Sequence, residues 1–289
     1  MDLCNERQIK ALLARHGFRF SKSMGQNFLI VPSIPQEIAA VSNADENCGV
    51  LEIGPGIGPL TAQLAQRAGK VVSVELDRAL LPVLAETMAP YPNVEIVPGD
   101  ILKLDLGTLV SEKLVGFTPI VCANLPYNIT TPVLTRLLES RLFRSVTVLI
   151  QREVARRICA RPGTADYGAF SLFCQYHARC EIAFEVPPEC FLPAPKVTSA
   201  VLHMEVLSEP PVETRDEALL FRVIRASFAQ RRKKLLNGLT AAFGSELSRE
   251  ALAGAIADCG FPESVRGEQL GLFEFACLAD QLYSLLSDR

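Results

Sequence analysis

At roughly 150 residues per domain, a chain of 289 residues has room for two domains, or for one large α/β domain with an appendage. Hydrophobic residues make up 49% and charged residues 21%, proportions that exclude disordered, collagen-like and coiled-coil classes. The formal charge of −3, from 29 basic and 32 acidic residues, speaks globally against a nucleic-acid partner, so the local distribution of charge has to decide that point.

In chain order, residues 50–53, 71–76, 94–97, 120–123 and 146–150 are short β-branched runs with helix-length segments between most of them, which predicts a parallel sheet covered on both faces. Residues 180–186 and 197–206 are two further β-rich stretches separated by a Pro-rich segment, suited to an antiparallel pair at the end of the sheet, for seven strands in all. Residues 208–217 are polar and carry two prolines, which places the domain linker there. Beyond it, helical spacing of Leu, Phe, Ile and Ala predicts a small helical domain. The expected organisation is an α/β domain over residues 1–207 and a helical domain over 208–289.

The longest apolar run, residues 79–85, contains a proline and falls far short of the ~18 residues a membrane span needs. Charged residues interrupt any signal-peptide core near the N-terminus, so the expectation is a cytoplasmic monomer with no membrane partner. Nine cysteines include no pair three apart, so there is no C-x-x-C knuckle or redox dithiol, and they read as buried reduced thiols. His16, His177 and His203 share no spacing that suggests a triad or a metal site, and no metal is expected.

The strand at 50–53 runs directly into Gly54-Pro55-Gly56-Ile57-Gly58. Glycines at every second position let the backbone turn sharply and approach a ligand without a Cβ in the way. A dinucleotide fingerprint would need glycine at position 59, where Pro59 stands. A G-x-G-x-G turn after an acidic residue instead suits a nucleoside cofactor without phosphate, of which S-adenosylmethionine is the common one. Glu75 closes the second strand about 20 residues on, placed to accept hydrogen bonds from ribose hydroxyls. After the third strand, Gly99-Asp100 offers a carboxylate to the cofactor's adenine amine.

The fourth strand is followed by Asn124-Leu125-Pro126-Tyr127-Asn128-Ile129. This arrangement suits methyl transfer to the exocyclic amine of adenine, a weak nucleophile because its lone pair is delocalised into the ring. The Asn124 side-chain oxygen and the Leu125 carbonyl can grip the amine hydrogens and draw the lone pair out of conjugation. Tyr127 offers a face on which the target base can stack, and Pro126 stiffens the loop.

With these motifs in hand, the chain resembles the ribosomal small-subunit RNA adenine dimethyltransferase family from residue 23 to about residue 239. The resemblance includes Gly25-Gln26-Asn27-Phe28-Leu29, Leu51-Glu52-Ile53-Gly54-Pro55-Gly56, Val74-Glu75-Leu76-Asp77, Gln151-Arg152-Glu153-Val154, Pro195-Lys196-Val197 and Phe228-Ala229-Gln230-Arg231-Arg232-Lys233-Lys234-Leu235. It implies a class I S-adenosylmethionine-dependent methyltransferase domain, Rossmann-like, with a helical C-terminal domain. It further implies cofactor contacts from Asn27, Leu29, Gly54, Gly56, Glu75, Asp100 and Asn124, and a target adenine held by Asn124, Tyr127 and Phe191. Leu192, Ala194 and Thr198 depart from the family, which more often shows an aromatic, a proline and an aspartate there.

Local charge reverses the global impression. Six basic residues and no acid lie between positions 222 and 234: Arg222, Arg225, Arg231, Arg232, Lys233 and Lys234. Residues 152–161 add four arginines, Arg152 and Arg156 among them, against one glutamate. Both read as RNA-binding surfaces. The activity implied by the resemblance is dimethylation of two adjacent adenosines near the 3′ end of 16S rRNA, within a pre-assembled small ribosomal subunit. The rivals are an antibiotic-resistance methyltransferase of large-subunit rRNA and an RNA-binding assembly factor without turnover.

Overall fold

The computed structural model describes residues 1–18, 26–231 and 233–287. Nine strands are assigned among them: β1 Phe28–Leu29, β2 Cys48–Ile53, β3 Lys70–Glu75, β4 Val94–Pro98, β5 Thr118–Asn124, β6 Ser145–Gln151, β7 Ala178–Val186, β8 Phe191–Leu192 and β9 Ser199–Val206. Seven form one sheet in the order β4-β3-β2-β5-β6-β9-β7. β2 runs parallel to β3 and β5, β3 to β4, and β5 to β6, while β9 is antiparallel to β6. Every residue of β2 is buried, as expected for a central parallel strand with helices on both faces. The strand order reverses between β2 and β5, and the crevice outside the C-terminal ends of the strands at such a switch point is where open α/β sheets bind ligands.

Among the strands, two features differ from the sequence expectation. The last strand begins at Ser199 rather than at residue 197, where Val197 is exposed. β1 and β8 form a separate two-stranded ladder, Phe28 opposite Leu192 and Leu29 opposite Phe191.

The chain divides into two compact units, Met1–Ala155 with Arg179–Val206, and Arg156–Ala178 with Leu207–Arg289. The second unit therefore includes residues 156–178, which the expected boundary at 207/208 left with the sheet. The reason is packing: Tyr167, Leu172 and Tyr176 belong to the apolar core of Leu220, Val223, Leu239, Phe243 and Phe275. The Tyr167 hydroxyl also donates to the Leu270 carbonyl at 2.9 Å.

All nine cysteines are free, but only five are buried: Cys159, Cys180 and Cys259 are partly exposed and Cys277 is exposed. The histidines take local partners: His16 meets Glu86 at 2.8 Å, His203 meets Thr147 at 2.8 Å, and His177 packs on Phe173. Among the described residues, no helix is long and apolar enough to cross a membrane, and no cluster of three or more His, Cys, Asp or Glu is placed to hold a metal.

Candidate active site

One cavity in the first unit opens at the C-terminal ends of β2, β3, β4 and β5. Its lining includes Asn27, Leu29, Gly54, Gly56, Glu75, Asp100, Asn124, Leu125 and Tyr127. The structure thus gathers all the proposed cofactor residues into one concavity, together with three of the four residues read as catalytic.

The glycine loop makes up one wall. Gly54 and Gly56 have φ of +66° and +62°, a backbone region that other residues enter only with strain. At Gly56 space is tight as well, because an added Cβ would stand 3.0 Å from the Phe28 ring, which would have to give way.

Two carboxylates lie behind this loop. Glu75 is 6% exposed, and its Oε1 accepts the Asp77 main-chain N–H at 2.7 Å. Burial raises its pKa from the ordinary 4.5 to about 7, opposed by hydrogen bonds from the Asp77 and Gly56 backbone. Glu52, buried within β2, accepts the Ser73 hydroxyl at 2.6 Å and is likewise raised to about 7, chiefly by burial, with the charge of Glu75 adding to the shift. In the sequence motifs Glu52 enters only as the acid before the glycine turn. The available signal was an acid inside an otherwise apolar, fully buried strand.

At the far wall, Asp100 Oδ1 accepts the Leu102 N–H at 3.0 Å, which folds the chain after β4 into a tight turn. Gln26, to which the motifs assign no role, also lines the cavity, and its side-chain amide donates to Asp77 at 2.8 Å.

Asn124 closes β5. Its side-chain nitrogen donates to the Asn27 carbonyl at 3.1 Å, which orients the amide and leaves Oδ1 as the acceptor end. The Leu125 N–H is committed to the Leu149 carbonyl at 3.1 Å, anchoring the loop on β6. The Tyr127 hydroxyl and Ser199 Oγ are 2.6 Å apart, so the half-buried ring is held at its outer end, and burial raises the pKa of the phenol.

Phe191 does not join this group. Pairing of β8 with β1 sets it opposite Leu29, and its ring, 2% exposed, packs among Leu29, Ile38, Val186 and Cys190 in the core. The same pairing keeps Leu29 at the cavity, so the two apolar residues support one another from behind.

The basic residues fare unevenly. In the first unit Arg152 pairs with Glu185 at 3.1 Å. In the second unit Arg222 pairs with Glu246, donates to the Ala242 carbonyl at 2.9 Å, and lies 4.1 Å above the Phe243 ring. Lys234 pairs with Glu263 at 3.0 Å, and Arg231 donates to the Ala165 carbonyl at 2.8 Å. Arg156, Arg225 and Lys233 are exposed. Arg232 lies outside the described residues. The Arg222 guanidinium is thus already engaged by a carboxylate, a carbonyl and a ring, with the side chain still 40% exposed.

The model for the family described as ribosomal RNA adenine dimethylase matches residues 17–258. A protein of Shouchella clausii named ribosomal RNA small subunit methyltransferase A is 47% identical over 287 residues, covering 99% of this chain and 97% of its own. One of Streptococcus sanguinis with the same name is 48% identical over 278 residues, covering 95% and 96%. Among solved structures, a dimethyladenosine transferase from Plasmodium falciparum superposes with a TM-score of 0.77 at 21% identity, over 89% of this chain and 98% of the other. The 23S rRNA methyltransferase ErmE gives 0.67 at 25% identity, over 89% and 100%.

Proposed function

The chain belongs to the ribosomal RNA adenine dimethylase family, and from that premise we propose that its cavity is where methyl groups pass from S-adenosylmethionine to the exocyclic amine of two adjacent adenosines near the 3′ end of small-subunit rRNA. Family membership makes it an rRNA-modifying methyltransferase. The finer assignments of cofactor, target and residue roles rest on the cavity.

The residues present suit that cofactor. Gly54 and Gly56 give a wall of bare backbone, and Glu75 supplies a buried carboxylate for a ribose diol. Asp100 offers an acceptor for an adenine amine, and Asn27 and Leu29 close the mouth. S-adenosylmethionine, when bound, supplies an electrophilic sulfonium methyl. Asn124 is the residue on which the reading turns. With its nitrogen spent on the Asn27 carbonyl, Oδ1 can accept a hydrogen of the target amine, and the Leu125 carbonyl can accept the other. Gripping both hydrogens draws the nitrogen toward the tetrahedral geometry of the transition state, where the interaction is strongest. Tyr127 stacks on the target base, its ring angle fixed by Ser199. Exposed Arg156, Arg225, Arg231 and Lys233 contribute phosphate contacts.

The relatives named for the small subunit cover nearly the whole chain, which favours that substrate over the large subunit. A rRNA-modifying enzyme of this kind meets its substrate in the cytoplasm. The test is incubation with labelled cofactor and unmethylated small subunits, followed by nucleoside analysis. Label in dimethyladenosine is expected. Label confined to large subunits would overturn the substrate assignment, and a product that stops at monomethyladenosine would overturn the reaction.

A further inference from the structure

Arg136 lies on the helix Thr130–Ser140 and does not line the cavity. Its guanidinium donates through Nη1 to the Leu102 carbonyl and through Nη2 to the Leu104 carbonyl. Both carbonyls belong to the turn that follows β4. The Asp100 carbonyl accepts the N–H groups of Lys103 at 2.8 Å and Leu104 at 3.0 Å, while its carboxylate accepts that of Leu102. Leu104 packs so closely on Gly99 that a Cβ there would stand 3.0 Å from its Cδ1. The turn therefore presents Asp100 and Ile101 to the cavity and gives the Leu102 and Leu104 carbonyls to Arg136.

The helix bearing Arg136 begins where the Asn124 loop ends. The Thr130 hydroxyl donates to the Pro126 carbonyl at 3.3 Å, and the Ile129 N–H donates to the same oxygen at 3.2 Å. One planar group thus joins the turn carrying Asp100 to the helix that continues from Asn124 and Tyr127. A guanidinium can serve two carbonyls at once in a fixed fork, whereas an ammonium at the same place is a point donor on a shorter stem. Arg136 also acts on the element after the turn. Asp105 accepts the Thr108 N–H at 2.6 Å as the cap of the helix Leu106–Lys113, and its carboxyl is held below the ordinary range by that bond first and by the Arg136 charge as well.

We propose that Arg136 is a positioning residue for cofactor binding, which fixes the Asp100–Ile101 turn relative to the Asn124 loop so that affinity for the adenosine end of the cofactor depends on a guanidinium outside the cavity. The proposal rests on the reading of the cavity as the S-adenosylmethionine site. Without the fork, two half-buried carbonyls lose their donor and the turn gains conformational freedom that binding must remove.

Calorimetric titration of the full chain with S-adenosylmethionine, and separately with adenosine, tests it without methyl transfer. Arg136→Ala should raise Kd about tenfold for both ligands, the loss of one hydrogen bond's worth of order. Arg136→Lys should fall between the parent and the alanine variant. In an Asp100→Ala background, Arg136→Ala should change Kd less than twofold, because the group being positioned is gone. Turnover should show a raised KM for cofactor with kcat close to the parent's. Equal Kd for parent and Arg136→Ala overturns the proposal, and so does a tenfold loss that persists in the Asp100→Ala background, which would mark general loosening. Should the alanine variant fail to fold by thermal melting, Arg136→Lys with and without Asp100→Ala carries the same comparison. A parent that binds neither ligand overturns the cavity reading itself, a result distinct from either.

Discussion

The cavity and the basic stretch of the second unit were both read from sequence, and the fold treats them differently. In the cavity, Gly54, Glu75, Asp100 and Asn124, widely separated in the chain, converge because they stand at or just past the ends of strands in one sheet, so spacing along the chain translates into position. In the basic stretch, neighbours in sequence are pulled to separate partners: Arg222 to Glu246 and Phe243, Lys234 to Glu263, Arg231 to the Ala165 carbonyl. Backbone geometry set by strand ends carries over from sequence to structure. Charge does not, because a long flexible side chain takes whatever acceptor the tertiary packing brings within reach.

The largest effect is expected where the cavity assignment is most exposed to failure. Asn124→Ala removes an acceptor whose hydrogen bond strengthens as the target nitrogen becomes tetrahedral, so the single-turnover rate of methyl transfer should fall about 100-fold or more. Cofactor affinity should change far less, since Asn124 is one of several cofactor contacts proposed. Single-turnover assays that separate mono- from dimethyladenosine provide the readout. A parental rate in that variant would show that convergence at strand ends had gathered the wrong acceptor.

The seven strands of the main sheet were legible because each is a short β-branched run bounded by turn residues, and the motif residues could be placed as soon as the strands were. What escaped depended on contacts distant in sequence. The β1–β8 ladder joins two-residue strands about 160 positions apart, and no periodicity marks segments so short. It is also why Phe191, read as a base-holding residue, is buried in the core opposite Leu29. Residues 156–178 join the helical unit through Tyr167, Leu172 and Tyr176, aromatic and apolar residues whose partners lie beyond position 212. Glu52 showed itself in sequence only as an acid out of place in an apolar strand. Its pairing with Ser73 across the β2–β3 register could not be seen until the strands were aligned.

A smaller effect should follow from the buried carboxylates of the cavity. Glu75→Ala should weaken S-adenosylmethionine binding by about 1–3 kcal/mol, the value of one or two hydrogen bonds to a charged group. The pH dependence sharpens this. Because burial raises the Glu75 pKa to about 7, the free protein holds a proton there below that pH, whereas a ribose diol is best accepted by the ionised form. Affinity should therefore rise with pH up to about 7 and level off above it, with proton release on binding in the lower range. Stability of the ligand-free protein runs the other way. Between the ordinary 4.5 and about 7 the folded chain retains protons on Glu52 and Glu75 that the unfolded chain would lose, so the stability these two groups contribute declines as pH rises through that window. Calorimetry in buffers of different ionisation enthalpy measures the first, and thermal melts of parent and Glu52→Gln measure the second. A pH-independent Kd from 5.5 to 8 would remove Glu75 from the binding site.

The smallest effects separate arginines that the sequence could not tell apart. Arg222 and Arg225 lie three residues apart on the helix Glu217–Phe228, and both were read as phosphate ligands. Arg222 is held over Phe243 by Glu246 and the Ala242 carbonyl, whereas Arg225 is exposed. Releasing a counterion on RNA binding requires a cation not already neutralised by a carboxylate, so the two substitutions should read out in different experiments. Arg222→Ala should lower Tm by about 2–4 °C through loss of the ring contact and its anchoring bonds, and leave the salt dependence of RNA affinity unchanged. Arg225→Ala should leave Tm where it is and reduce the slope of log K against log salt by roughly 0.7–0.9, the share of one phosphate contact. Paired melts and salt titrations of the two variants against small-subunit rRNA decide it. If Arg222→Ala reduces the slope as much as Arg225→Ala does, the ion pair opens on binding, and the local partners that separate this stretch from the cavity are a property of the free enzyme alone.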